Sequence, residues 1–337
     1  MVSWREYIEL IVDTAEVCDF HTIDHQLISF NKQGTLCFNR GGMWHSKDEQ
    51  EQRYKRVDVD SIIQKISDAG LESLIRSKQA FSIHSHHFLE YFDRLGILNT
   101  ITYLAYTDPL VSLPIKYITK MSNLRCLIIN PSKTVRFERT TAQQQAEYNA
   151  SLEELVIQLP PPLEILLIAF PVFNGSLSNL PPALRILCII SNQFHQSLDY
   201  LPINLEVLLL LELSKYTLNI ENLPVGLQML AFDCEYECYT GALQIPPKIQ
   251  YLQLNKCSIT TLQNALGVEN AIFDCGYRDL YTVERLSQLK SLIVSSYLYN
   301  ILIAKKQTLE EPNIWKSIKI YNRDATHGSR IIEKLLM

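Results

Sequence analysis

Five segments of the chain lie under one another without a gap: LPPPLEILLI from Leu159, LPPALRILCI from Leu180, LPINLEVLLL from Leu201, LPVGLQMLAF from Leu223 and IPPKIQYLQL from Ile245. Their prolines, Pro160, Pro181, Pro202, Pro224 and Pro246, are 21, 21, 22 and 22 residues apart, and each precedes apolar-x-x-apolar-x-apolar in one register. A period this short excludes an ordinary globular domain, because a unit of that length cannot bury its own apolar face. It must stack on copies of itself. Side chains alternate across a strand, so the last two apolar residues of each copy point to one side and fill a shared core. Proline fixes φ and donates no hydrogen bond, which suits the turn entering a strand.

The frame outlasts the prolines. The copy at Ile249, Leu252, Leu254, Cys257 and Ile259 is complete, as is Leu184, Leu187, Ile189, Asn192 and Phe194. Both match the L-x-x-L-x-L-x-x-N/C-x-L pattern of a leucine-rich repeat. Weaker copies are expected at Val268–Phe273, Leu289–Val294, Leu98–Tyr103, Leu124–Ile129 and Ile318–Ile320. Residues 151–300 hold 32 leucines, against 17 in the other 187 residues, so the bias belongs to one region. Asn192 and Cys257 are expected to turn inward at the bend after the strand, as satisfied polar and small apolar core groups. The spacing breaks down over 130–158, which is read as an insertion, with Leu152–Ile157 open between a helical turn and a strand.

FNGSLSNLP from Phe173 and FHQSLDYLP from Phe194 resemble the FNIP type of leucine-rich repeat, whose unit runs roughly F-N-x-x-L-x-x-L-P-x-x-L-x-x-L-x-L. Tyr148-Asn149 and Tyr216-Thr217 take the Phe-Asn place in neighbouring coils. Such repeats occur in proteins of amoebae and large DNA viruses, often behind an F-box-like adaptor segment, and bacterial effectors carry similar L-P-x-x-L repeats. The resemblance implies a binding protein without chemistry of its own. The expected fold is a β-rich α/β leucine-rich-repeat solenoid with a parallel sheet on its concave face, preceded by a small α+β cap. Its parts are a cap or domain over 1–95, a solenoid of nine or ten coils over 96–320, and a capping helix over 321–337.

The repeat frame also names the residues expected to look outward from the strands. These are Ile165, Leu167 and Ala169 in one coil, Ile186, Cys188 and Ile190 in the next, and Val207, Leu209 and Leu211 in the third. Met229 and Tyr251 continue the column, and polar residues such as Asp233 and Gln253 enter beyond it. Nine apolar positions in succession form a patch of the kind that marks an interface. The patch is therefore expected to bind a protein partner, with the chain's own N-terminal segment or a second copy in a homodimer as the other occupants. All-apolar strands such as VLLLL do not fix their own register, so the opposite assignment of inside and outside also stays open.

Residues 1–95 lack the repeat. Trp4, Tyr7, Ile8, Ile11, Val12 and Ala15 recur at helical spacing, so a helix is expected over 3–17. Leu27–Phe30 and Thr35–Phe38 flank the turn-like Asn31-Lys32-Gln33-Gly34, which predicts a hairpin. Asp60 or Ser61 can cap a helix ended by Gly70, and Leu71–Arg76 and His87–Leu95 read as helical. At the other end, Ile314–Tyr321 and Ser329–Met337 read as a last strand and a shielding helix.

Signals for chemistry are sparse. His84, His86 and His87 cluster, but a zinc site takes about four ligands in tetrahedral reach, so a polar helix start is the expected role. Cys234 and Cys238 form a C-x₃-C without a second knuckle, and Cys18 with His21 or His25 is a nucleophile pair that nothing orients. No phosphate-loop, dinucleotide, zinc-protease or nucleophile-elbow motif occurs in this chain of 337 residues with 11 glycines. A net charge of −5 supplies no field for nucleic acid, and KDEQEQRYKR at 47–56 interleaves both signs. Charges at Arg5, Glu6, Glu9, Asp13 and Glu16 interrupt the start, no apolar run reaches about 18 residues, and eight cysteines are too dilute for a disulfide framework. The expectation is a cytoplasmic, non-enzymatic protein with no metal, no cofactor, no nucleic acid and no membrane. It would act as an interaction module, a structural subunit of an assembly such as a virion, or an effector or ubiquitin-ligase adaptor using its N-terminal segment.

Overall fold

Each proline-headed copy opens with the same reverse turn in the computed structural model of the protein, which describes residues 21–24, 28–30, 36–38, 63–64, 66–67, 70–83, 85–106, 113–130, 141–214, 216–218, 220–234, 242–255, 261–263, 267–274, 289–294, 300 and 319–322. The proline carbonyl accepts a hydrogen bond from the N–H three residues on: Leu163 to Pro160 at 3.1 Å, Leu184 to Pro181, Leu205 to Pro202 and Leu227 to Pro224 at 3.0 Å, and Ile249 to Pro246 at 3.2 Å. The second turn position is Pro161, Pro182, Ile203, Val225 or Pro247. Proline is favoured there because its fixed φ matches that corner of the common turns.

Two compact units divide the chain, one over Val12–Leu167 and one containing Ile168–Met337. In the first, β1 (His21–Asp24), β2 (Ile28–Phe30) and β3 (Leu36–Phe38) pair antiparallel in sequence. The expected hairpin is present, with Ile28 opposite Phe38 and Phe30 opposite Leu36. The direction then changes. Helix α1 (Glu72–Arg76), β4 (Ala80–Ile83), α2 (His86–Arg94), β5 (Tyr103–Tyr106), α3 (Ile115–Ile118) and β6 (Cys126–Ile129) follow, and β3, β4, β5 and β6 form one parallel ladder. Leu36, Phe81, Leu104 and Leu127 share one row of that ladder. Strands β4 and β5, on either side of residues 95 and 96, pair directly.

The weak copy expected at Leu98–Tyr103 sits three residues too early. Leu98–Thr100 is a 3₁₀ turn, and the buried triad is Ile101, Leu104 and Tyr106. Leu95, Ile97, Leu98 and Ile101 are all apolar and buried, so spacing alone admitted two frames. The ambiguous Leu152–Ile157 is helical, as the end of α4 (Ala142–Ile157). Thr141 caps that helix: its hydroxyl accepts from the Gln144 N–H at 3.2 Å, and the Gln144 side chain accepts from the Thr141 N–H at 3.0 Å. This reciprocal arrangement satisfies two orphan donors and fixes where the helix starts. Strand β7 (Ile165–Ala169) follows.

In the second unit β8 (Ile186–Ile190), β9 (Val207–Leu213), β10 (Met229–Cys234), β12 (Tyr251–Asn255), β14 (Asn270–Asp274), β15 (Ser291–Val294) and β16 (Lys319–Asn322) pair in that order, all parallel. One row runs Leu187, Leu208, Leu230, Leu252, Ala271, Leu292, Ile320, so the register expected from the prolines holds strand by strand. A small second sheet pairs β11 (Ala242–Gln244) with β13 (Thr261–Gln263), also in parallel. Strand β9 carries a bulge in which Glu212 adopts φ 62°, a left-handed conformation that shifts its pairing with β10. These in-register coils make this unit a β-rich, leucine-rich-repeat-like solenoid.

Beyond the strands a second column of side chains stacks. Phe173 and Phe194 lie with ring centroids 6.1 Å apart and 10° between planes, Phe194 and Tyr216 repeat both values, and Tyr216 meets Phe232 edge-on at 5.3 Å. The Phe-Asn places of three successive coils therefore form a buried aromatic spine, whereas Tyr148, expected at the same place, lies within helix α4. Polar groups beside it bridge coils: Asn174 Oδ1 accepts from the His195 N–H at 2.8 Å, and the buried Ser191 hydroxyl lies 2.9 and 2.8 Å from the Pro171 and Phe173 carbonyls. At the bend Ser191, beside the expected Asn192, is the residue that satisfies the backbone.

Among the described residues no helix is long and apolar enough to cross a membrane. The helix expected over 3–17, the 31–34 turn, the 47–56 charge run, His84, Cys18, Cys238, Cys257 and the helix over 329–337 lie outside the described residues.

Candidate functional site

A solenoid offers a partner three kinds of surface: the strand face, the turns that enter the strands, and the outer connections. The strand face carries the residues expected to bind. Ile165, Leu167, Ile186, Cys188, Val207, Leu209, Met229 and Tyr251 are all buried, and Ile190 and Leu211 are half-buried. This corrects the expectation of an exposed column. Parallel strands covered on both faces read as continuous apolar runs, whereas strands with one wet face alternate. The segments ILLIA, ILCII and VLLLL are runs of the first kind. The pairing register is as expected, with Cys188 opposite Leu209 and Leu209 opposite Ala231, so the difference lies in exposure and not in frame.

Burial has a chemical consequence for the one thiol in the column. Removal from water pushes the Cys188 thiol up to about 12 and raises that of the buried, free Cys126 as well. Only a thiolate is a nucleophile, and burial also denies access. Iodoacetamide at pH 8 is therefore expected to leave Cys188 and Cys126 unmodified in the folded protein and to label both after denaturation, as peptide mass spectrometry can read. Rapid native labelling of Cys188 would show that the column is open.

Just ahead of the strands runs a polar row in which the N–H of each residue donates to the carbonyl of the one before: Glu206 to Arg185, Gln228 to Glu206, Gln250 to Gln228, Glu269 to Gln250, Lys290 to Glu269 and Lys319 to Lys290. Opposite charges sit next to each other at most charged places of the row, the exception being Lys290 beside Lys319 at its far end. Arg185 makes a two-pronged pair with Glu206 at 3.0 and 2.9 Å, Lys290 pairs with Glu269 at 2.9 Å, and in the first unit Arg125 pairs with Glu164. The paired ions are largely spent on one another.

The turn edge is different. In four successive coils of the second unit the second turn position is apolar and exposed: Pro182, Ile203, Val225 and Pro247, with Ile203 at 73% and Val225 at 62%. Tyr200, three residues ahead of Ile203, is 70% exposed. The turns stack directly. Asn204 Nδ2 donates to the Pro182 carbonyl at 2.9 Å, and a Cβ on Gly226 would meet the Ile203 carbonyl oxygen at 3.4 Å. At Gly267, in the next coil, a Cβ would lie 3.0 Å from the Pro247 oxygen, a tight contact that glycine avoids. Single exposed apolar residues are ordinary, but four in register on stacked turns make a ridge. Sequence reasoning passed over it, although its signal is the residue after each L-P pair.

The remaining chemical candidates do not converge. Ser85 caps α2, its hydroxyl accepting from the His87 N–H at 3.4 Å, and the His86 and His87 rings lie 4.1 Å apart. Consecutive helical residues differ by about 100°, and large rings at a helix start can still touch. The polar helix start is what the structure shows. Among the described residues no group of three or more His, Cys, Asp or Glu is placed to hold a metal ion.

No family model matches the chain, and no curated protein matches it. Among solved structures it is similar to the crystal structure of CroV588, described as a novel circular LRR protein structure, at 17% identity and a TM-score of 0.32 over 58% of this chain and 34% of that one. The chain spans about a third of that protein's length. At this TM-score the likeness carries no argument, and the repeat architecture stands on the chain's own coils.

Proposed function

We propose that this chain is a non-enzymatic protein-interaction module, a leucine-rich-repeat solenoid of the FNIP type, whose accessible docking surface is the turn ridge and not the buried strand face. The observation that carries this reading is the exposure of Pro182, Ile203, Val225 and Pro247 on four stacked turns. The stacked Phe173, Phe194 and Tyr216 at the Phe-Asn places support the repeat type. Apolar side chains held on rigid backbone lose little entropy when a partner covers them, which is what a docking surface needs.

The test is a double substitution, Ile203→Ser with Val225→Ser. Both side chains are exposed, so stability is expected to change by no more than about 0.5 kcal/mol per site. Partners retained by the wild-type chain from an extract of its source cells are expected to be lost by the variant. Retention of every partner at an unchanged melting temperature would remove the ridge from the interface.

A further inference from the structure

Resting on the ridge as the docking surface, we infer that its partner is an amphipathic α-helix with an apolar stripe and a Lys/Arg flank, lying along the direction in which the coils stack.

The spacing selects a helix. Neighbouring strands of a sheet stand about 4.8 Å apart, so the four turns at Pro182, Ile203, Val225 and Pro247 present apolar side chains at that interval over roughly 14 Å. An α-helix rises 1.5 Å per residue, and its same-face residues at i, i+3 and i+7 therefore advance by about 4.5 to 6 Å. One helix side chain falls between each pair of turns. An extended strand repeats its face only every 6.6 to 6.8 Å or so, and it loses step with the turns after two coils.

The charge selects the flank. On the side of the ridge that leads into the turns, Asp199 and Glu221 are exposed in adjacent coils. Asp199 is held in place by Ser197 Oγ, which donates at 2.7 Å, and by Asn222 Nδ2 from the next coil, which donates at 2.9 Å. These bonds, Ser197 first, hold its carboxyl below the usual range, so it stays anionic. On the other side Arg185 and Glu206 neutralise each other, and Gln228 and Gln250 are uncharged. The exposed cation of the turns is Lys248, at the Pro247 end. A helix whose cations run beside its apolar stripe meets carboxylates along Tyr200–Val225, whereas an acidic flank, such as a second ridge of this same chain would offer, meets repulsion.

The experiment uses the full chain and three fluorescent 15-residue peptides with one leucine stripe: a Lys-flanked helix, a Glu-flanked helix, and a Lys-flanked peptide of scrambled order. Anisotropy is expected to show binding of the Lys-flanked helix alone. Binding should weaken about tenfold or more in the Ile203→Ser/Val225→Ser variant and about threefold in Asp199→Asn/Glu221→Gln, the second effect fading above about 0.5 M salt as exposed charges are screened. Equal binding of the scrambled peptide, or affinity unchanged by the ridge substitutions, overturns the inference. Preference for the Glu-flanked helix overturns the choice of flank. Absence of any peptide binding, with the cellular partner still lost from the ridge variant, sinks the helix partner and leaves the interaction module standing.

Discussion

Leu209→Asp is expected to destabilise the solenoid severely. Leu209 is 5% exposed in β9, with Cys188 and Ala231 opposite it in the neighbouring strands. Truncating a buried leucine costs about 2 to 5 kcal/mol, and an unsatisfied carboxyl adds about 1 to 3 kcal/mol even when it takes up a proton to avoid burial as an ion. The sum is about 3 to 8 kcal/mol, which is a large share of the 5 to 15 kcal/mol that separates folded from unfolded proteins. The loss must also depend on pH. A buried aspartate has its folded pKa raised above the unfolded value of about 3.9, so the folded state binds the extra proton and the destabilisation grows as pH rises. Thermal melts at pH 4.5 and 8 measure this, with the variant closer to wild type at the lower pH once the wild-type shift is subtracted. Ile203→Asp on the ridge supplies the contrast, since it alters an exposed side chain and leaves the melt within about 0.5 kcal/mol of wild type. Wild-type stability in Leu209→Asp at both pH values would mean that the strand face is open to water, and the original expectation of a docking surface there would return.

That contrast also marks how far the architecture and the surface were legible in the residues. The five prolines located the turns, the strands and their register, because a repeat must superpose on itself and each hydrogen-bonded row confirms the next. Exposure was less legible. Leu208 and Leu209 are chemically identical neighbours that point to opposite faces, and nothing in VLLLL states which of them is wet. The informative quantity was the missing alternation: a strand face meant for solvent would carry polar residues at every second position, and ILLIA, ILCII and VLLLL carry none. The ridge was overlooked for the converse reason. Pro182, Ile203, Val225 and Pro247 follow an obvious turn signal that masks them, although Ile203 and Val225 are β-branched apolar residues in a place where turn chemistry asks for proline or polar groups. The strands β3 and β4 lack the proline altogether, and short apolar runs such as LCF and AFSI do not declare a parallel ladder without their neighbours.

Phe194→Ala is expected to uncouple the coils as well as destabilise them. The ring is fully buried between Phe173 and Tyr216, each 6.1 Å away by centroid, and Tyr216 in turn lies against Phe232. Loss of a buried phenylalanine costs about 3 to 5 kcal/mol, part of it transfer and part the cavity left between two rings that backbone bonds prevent from closing. Those bonds are specific: Asn174 Oδ1 accepts from the His195 N–H at 2.8 Å, and the Tyr216 hydroxyl donates to the Gln196 carbonyl at 3.2 Å. In a stacked array stability is the sum of coil terms and nearest-neighbour terms, and cooperativity survives only while the neighbour terms are large. Removing Phe194 takes away two neighbour terms at once, on either side of one coil. Guanidinium unfolding followed by fluorescence and by circular dichroism is therefore expected to lose its single shared midpoint, with a shallower slope and the two probes separating. Phe194→Leu, which keeps most of the apolar volume, should lower the midpoint by less and keep the two probes together. A sharp, coincident transition in Phe194→Ala would show that the spine fills space without coupling the coils, and that the strand rows alone carry their cooperativity.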